Sequence, residues 1–135
     1  MLRKKPLPNK IRLTFSSSTE AIDNVTVAQT FWTRLKGLLG ESKPLPSDRA
    51  LLITGANSIH GFWMRITIDV IFLDKKFTVV EVHPNCRPFR YLLYCGRASM
   101  ALEASQGTIE RLNLTPGVLV NWELSSGLKP TQPEN

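Results

Sequence analysis

Residues 68–82, IDVIFLDKKFTVVEV, decide the fold. From Ile68 to Leu73 the chain is apolar on both faces apart from Asp69, the pattern of a strand in the middle of a sheet rather than at its edge. Asp74-Lys75-Lys76 is a tight polar connection. Phe77, Val79 and Glu81 then alternate with Thr78, Val80 and Val82, so the whole stretch reads as a β-hairpin.

Working outward, residues 24–29 alternate as a second strand, with Val25 and Val27 on one face. Thr30 reads as a helix N-cap, Phe31, Leu35, Leu38 and Leu39 recur at helical spacing, and Gly40 is expected to end the element. Residues 41–48 hold Pro44 and Pro46 and form a loop. Residues 50–54 make a short apolar strand. Downstream, residues 84–96 read as a loop stopped by Pro84 and Pro88, and residues 98–104 as a strand. Residues 108–114 fit a short helix. Pro116-Gly117 turns the chain into a last strand at 118–124. Short strands, short turns and two inserted helices predict a mainly β (α+β) domain: a small antiparallel barrel-like or curled sheet of six or seven strands with two short helices. No glycine-rich phosphate loop and no internal repeat accompany them.

A chain of 135 residues and 15.2 kDa fits one such domain with one ordinary core. Its charge of +6 is unevenly spread. Five of the 17 basic residues, Arg3, Lys4, Lys5, Lys10 and Arg12, precede the first acid, Glu20, and the remainder carries 12 bases against 11 acids. Residues 1–19 are therefore expected to be a basic, flexible tail, residues 20–124 the globular domain, and residues 125–135 a polar tail. With the charge confined to a tail and no reader motif, nucleic acid is not the expected partner. No apolar run reaches the length of a membrane span, and no h-region follows the N-terminal bases. Two cysteines, Cys86 and Cys95, do not make a disulfide framework, so the cytoplasm is the expected compartment.

The chemistry concentrates in residues 57–74, NSIHGFWMRITIDVIFLD, where a histidine, a tryptophan, an arginine and two aspartates interrupt apolar sequence. A carboxylate at Asp69 inside a buried strand needs a cation or several donors. Arg65 and His60 are the cations nearest in sequence, and the pairing is read chiefly as structural. His60, between Ile59 and Gly61, can approach a ligand or act as a general base. Ser58 points the same way from an extended segment, yet no nucleophile elbow surrounds it. Phe62, Trp63 and Met64 cannot all face one side, so at least one points to a second layer or a ligand. Glu103, an acid inside an apolar strand, resembles Asp69 in setting. Between Glu81 and Glu103 lie Arg87, Arg90 and Arg97 without an acid, beside Phe89, Tyr91 and Tyr94, a loop able to hold phosphate or carboxylate. His83, Cys86 and Cys95 have no standard zinc spacing, and neither metal nor cofactor is expected.

Several blocks resemble the domain-of-unknown-function 192 family. They are Val27-Ala28-Gln29-Thr30, Arg34-Leu35-Lys36-Gly37-Leu38-Leu39, Ser58-Ile59-His60, Phe62-Trp63-Met64-Arg65 and residues 68–74, closed by Ala101-Leu102-Glu103-Ala104 with Gly107 and by Leu114-Thr115-Pro116-Gly117. The likeness spans residues 25–122 in order. It implies a small, mainly β fold of bacteria and archaea without an assigned activity. Departures are Asn57 for cysteine, Gly61 for threonine, Thr67 for proline, and Val118 where members carry aspartate; any site role of that aspartate is missing here.

These readings converge on a binding module for a small ligand or anion. Its polar site would use Ser58, His60, Trp63, Arg65, Asp69 and Glu103, with Arg87, Arg90 and Arg97 at the mouth. One alternative is a hydrolase-like acid–base enzyme pairing His60 with a carboxylate. Another is an interaction module that presents Trp32, Trp63 or Tyr91 to a protein partner.

Overall fold

The computed structural model describes residues 6–29, 43–60, 65–88 and 92–125. In chain order the elements are β1 (Lys10–Phe15), β2 (Ile22–Ala28), β3 (Arg49–Thr54), β4 (Ser58–His60), β5 (Ile68–Leu73), β6 (Val79–Cys86), β7 (Leu92–Tyr94), β8 (Met100–Ser105), helix α1 (Thr108–Arg111) and β9 (Val120–Leu124). Seven strands form one sheet in the order β6-β5-β8-β3-β2-β1-β9, while β4 and β7 make a separate two-stranded ribbon.

Strand β5 has the expected bounds, and all six of its residues are buried. Its central place follows from that, since a strand apolar on both faces must be covered on both. Phe77 follows the polar turn with φ 62, and a bulge near Phe72 and Leu73 sets the register with β6. The hairpin's second strand starts later than the alternation suggests, at Val79, and continues through Pro84 to Cys86. Proline is tolerated because β6 is an edge strand. Residues 84–96 are accordingly not all loop, for they contain the end of β6 and all of β7.

Two expectations need correction. The sheet is mixed rather than antiparallel throughout: β2 and β3 run parallel, from Asn24 opposite Arg49 to Ala28 opposite Ile53. Parallel neighbours need a long crossover, and the chain between these strands supplies one. The helix expected at residues 30–39 falls on that crossover and lies outside the described residues; one short helix, α1, stands among them. The second correction concerns the basic tail. Lys10–Phe15 is a strand hydrogen-bonded to β2 and to β9. Ile11, Leu13 and Phe15 enter the core, while the bases take the other face. There Lys10 Nζ donates to Thr26 Oγ1 at 2.7 Å, and Arg12 pairs with Asp23 at 2.8 Å and with Glu123.

The sheet curls into a half-barrel whose edge strands meet at one end. Val79 N donates to Val118 O at 2.9 Å, Gly117 N to Val79 O at 2.8 Å, and Val120 N to Phe77 O at 2.9 Å. One apolar cluster fills the curl, with Leu52, Ile71, Leu73 and Leu102 from the sheet and Leu112 and Leu114 closing an end. A second lies on the opposite face of β3, β8, β5 and β6, where Leu51, Ile53, Val70 and Phe72 are covered by Ile59, Ile66, Cys95 and Ala98. Thus the ribbon forms a partial second layer. Among the described residues, no helix is long and apolar enough to cross a membrane.

Candidate functional site

Asp69 is fully buried, and its donors come from the backbone. Oδ1 accepts the amide of Asn85 at 3.0 Å, and Oδ2 accepts the amide of Ile109 at 2.9 Å. Asn85 sits at φ 55, a left-handed conformation that asparagine tolerates better than most residues. Its Oδ1 accepts Gln106 Nε2 at 2.9 Å, and Ser105 and Thr108 share a buried hydroxyl contact at 2.9 Å. One carboxylate therefore ties β5 to the bulged end of β6 and to the first turn of α1. Arg65, the cation nearest in sequence, is exposed.

Glu103 belongs to the other side of the sheet. In register it stands between Leu51 on β3 and Val70 on β5, both members of the outer cluster. Asp69 precedes Val70 and so points the opposite way, because successive residues of a strand alternate. The two acids do not form one network. Glu103 is 5% exposed, its Oε2 has no hydrogen-bond partner, and burial pushes its carboxyl up to about 7. Opposite Val70 on the far side is His83, whose ring meets the Phe72 ring edge-on at 5.8 Å. His83 Nε2 lies 3.1 Å from Glu81 Oε2 without the alignment of a hydrogen bond. Cys86 is held in place as its Sγ–H donates to His83 O at 3.3 Å. Burial, then the charge of Asp69, raises its thiol to about 11. No trio of His, Cys, Asp or Glu among the described residues is placed to hold a metal ion.

Ser58 and His60 are both on the ribbon, opposite Tyr94 and Leu92 respectively. Ile59 and Leu93 pack against the sheet, so Ser58, His60, Leu92 and Tyr94 share the outward side. Trp63 and Arg90 lie outside the described residues. Arg87 is exposed. Arg97 is exposed too, and its Nη2 donates to Val80 O at 3.4 Å.

Arg97 is also where a cleft opens. Two β-turns face each other across it. In one, Phe77 N donates to Asp74 O at 3.0 Å, with Lys75 and Lys76 at the central positions. In the other, Ala98 N donates to Cys95 O at 3.0 Å, with Gly96 and Arg97 central. Pairing of β5 with β8 brings them together, and Ser99 N closes the junction on Leu73 O at 2.8 Å. The cleft has a volume of about 330 Å³ and is lined by Asp74, Lys75, Lys76, Gly96, Arg97, Ala98 and Ser99. Three cations thus meet one acid. That acid is engaged in its own turn, since Asp74 Oδ1 accepts the amides of Lys76 at 2.9 Å and Thr78 at 3.0 Å. Reading the sequence singles out Arg97 but not Lys75, Lys76 or Ser99; a lysine pair in a hairpin turn looks like ordinary solubilising charge.

A curled β-sheet with a two-stranded ribbon over one face and a cation-lined cleft between turns defines a small mixed α+β domain. The sequence profile of the DUF192 family (Uncharacterized ACR) matches residues 12–122, and the chain belongs to that family. It is 36% identical over 107 residues to a UPF0127 protein of Thermococcus sibiricus, covering 74% of this chain and 66% of that one, just under two thirds of its length. To a UPF0127 protein of Pyrococcus horikoshii it is 40% identical over 100 residues, covering 73% and 86%. Its fold is similar to a solved protein of unknown function from Novosphingobium aromaticivorans, with a TM-score of 0.72 at 22% identity over 84% of each chain.

Proposed function

We propose that the protein is a binding module for small anions, phosphate or carboxylate in class, and that the cleft between the two turns is its site. The observation that carries this reading is the charge balance of the cleft, where Lys75, Lys76 and Arg97 line about 330 Å³ and Asp74 is already engaged by its own turn. A volume at the lower end of small-ligand sites suits a compact ion. Arg97 offers a planar fork of donors and the lysines offer point charges, the combination that serves phosphate well.

The residues 57–74 contribute differently. Asp69 holds the sheet to α1, so a pocket built on its carboxylate would have to break two bonds to backbone. Ser58 and His60 are on the exposed side of the ribbon beside the turn that bears Arg97, outside the lining of the cleft. An acid–base role for His60 needs a carboxylate at hydrogen-bond distance. Asp69 has both oxygens engaged, which weighs against it as that partner.

Calorimetric or NMR titration with inorganic phosphate at low salt tests the reading. Saturable binding that weakens about 10-fold in Arg97→Gln is expected, the usual scale for losing one charge-assisted contact. Absence of saturable binding, or affinity indifferent to Arg97→Gln and Lys76→Gln together, overturns it.

A further inference from the structure

The turn that carries Arg97 follows directly from β7, whose outward side is unusually apolar for an exposed ribbon. Leu92 is 73% exposed and Tyr94 69%. Tyr94 is not simply extended into solvent. A Cβ placed on Gly96 would lie 3.2 Å from its Oη and 3.6 Å from its Cζ. The phenol therefore folds back over Gly96, which is itself a wall of the cleft. One edge of the ring touches the rim of the cationic cleft while most of its surface stays open.

We propose that the ligand is a phosphomonoester carrying a planar ring, of the nucleoside-monophosphate class, with its phosphate in the cleft and its ring stacked on Tyr94. This rests on the anion-binding reading and adds a second contact to it. An ion alone would leave Tyr94 idle. A Cβ at position 96 would meet the phenol at 3.2 Å, so the ring would have to give by a few tenths of an ångström. Stacking on an aromatic side chain tolerates any base, because every base presents a π-face. Charge complementarity sets the other end: three cations and Asp74 leave a balance of +2, which a phosphate dianion matches better than a single carboxylate does. Beyond Tyr94, the hydroxyl of Ser58 lies directly across the ribbon and His60 follows beside Leu92. Both share that outward side with Tyr94 and Leu92.

Parallel titrations with inorganic phosphate, adenosine monophosphate and hexyl phosphate test this on the full chain. Adenosine monophosphate should bind at least about 10-fold more tightly than phosphate, the scale of one base–aromatic stack, and more tightly than hexyl phosphate. Tyr94→Ser should reduce its affinity towards that of phosphate. Tyr94→Leu, which keeps apolar contact without a π-face, should do nearly the same. Arg97→Gln should weaken every phosphate. Phosphate binding with no preference for adenosine monophosphate, or a preference that survives Tyr94→Ser, overturns the ring contact and leaves the anion site standing. Hexyl phosphate binding as tightly as adenosine monophosphate assigns the platform to alkyl chains and overturns the planar class. Failure of phosphate itself to bind removes the anion site and this proposal together.

Discussion

Replacing Glu103 by glutamine should change how stability depends on pH more than it changes stability at any one pH. The carboxyl lies between Leu51 and Val70 in the middle of the sheet, 5% exposed, with Oε2 unpartnered. Burial raises it from 4.5 to about 7. Folding therefore favours its neutral form. The unfolded chain releases this proton as pH passes its ordinary value, while the folded chain retains it until about 7. Stability is thus fully present below pH 4.5, falls as pH rises, and levels off above 7. At about 1.4 kcal/mol per pH unit of displacement, the whole loss is about 3 kcal/mol, most of it between pH 5 and pH 8.

Glutamine has nearly the same shape and no proton to lose. Urea denaturation of wild type and Glu103→Gln at half-unit steps from pH 5 to pH 8 isolates the effect. Other titrating groups are common to both chains, and any fixed cost of burying the amide shifts the variant's curve without tilting it. The free-energy difference between the two should grow by about 2–3 kcal/mol in the variant's favour, or about 10 °C in melting temperature for a domain of this size. Parallel curves across that range would refute the reasoning, because they would mean that Glu103 ionises at the same pH folded and unfolded.

Three further outcomes follow from named contacts. Asp69→Ala should cost about 3 kcal/mol in urea denaturation, since it strips two amides of a charged acceptor, and hydrogen exchange should quicken at Asn85 and Ile109. Asp69→Asn should recover little, for its NH2 group must face one of those amides. At the end of α1, Leu114 N donates to Ile109 O at 2.9 Å around Asn113 at φ 53, a left-handed helix stop; Asn113→Val should cost about 1–2 kcal/mol by thermal denaturation, while Asn113→Gly stays within about 1 kcal/mol of wild type. Cys86, with its thiol raised to about 11 from 9.0, should alkylate at pH 8 about 100-fold more slowly than an unperturbed thiol, and mass spectrometry should find it modified at the ordinary rate once the protein is unfolded.

What the sequence makes legible is what local pattern determines. Strand β5 is read with correct bounds because burial on both faces leaves no polar alternation to blur its ends. Strand β1 is hidden by its own charges: Lys10 and Arg12 suggest a tail, yet Ile11, Leu13 and Phe15 alternate with them at period two and signal a half-buried strand. The parallel pairing of β2 and β3 has no local marker, since it depends on a crossover folding back. Asp69 is correctly flagged as needing donors, but these are backbone amides 16 and 40 residues along the chain, and an amide has no signature in sequence. The cleft is the least legible feature. Lys75 and Arg97 become neighbours only because β5 and β8 pair from Ile68 opposite Ser105 to Leu73 opposite Met100.

That contrast separates two populations of charge. Asp69 and Glu103 are inside strands, where desolvation makes each of them matter to stability: one is offset by backbone donors, the other is pushed towards neutrality. Lys75, Lys76 and Arg97 occupy central positions of turns, where their side chains are exposed and contribute little to the cores. Substituting the turn cations removes charge without opening a cavity or stranding a buried partner, the changes that usually make a mutation severely destabilising. Stability and anion affinity should therefore respond to different residues. Arg97→Gln with Lys76→Gln is expected to melt within a few degrees of wild type while losing phosphate, and Glu103→Gln to shift the melting profile while keeping phosphate. On the proposed reading, a fold with its buried charges in architecture and its turn charges in recognition would change ligand by altering two short turns, without disturbing the strands that bring those turns together.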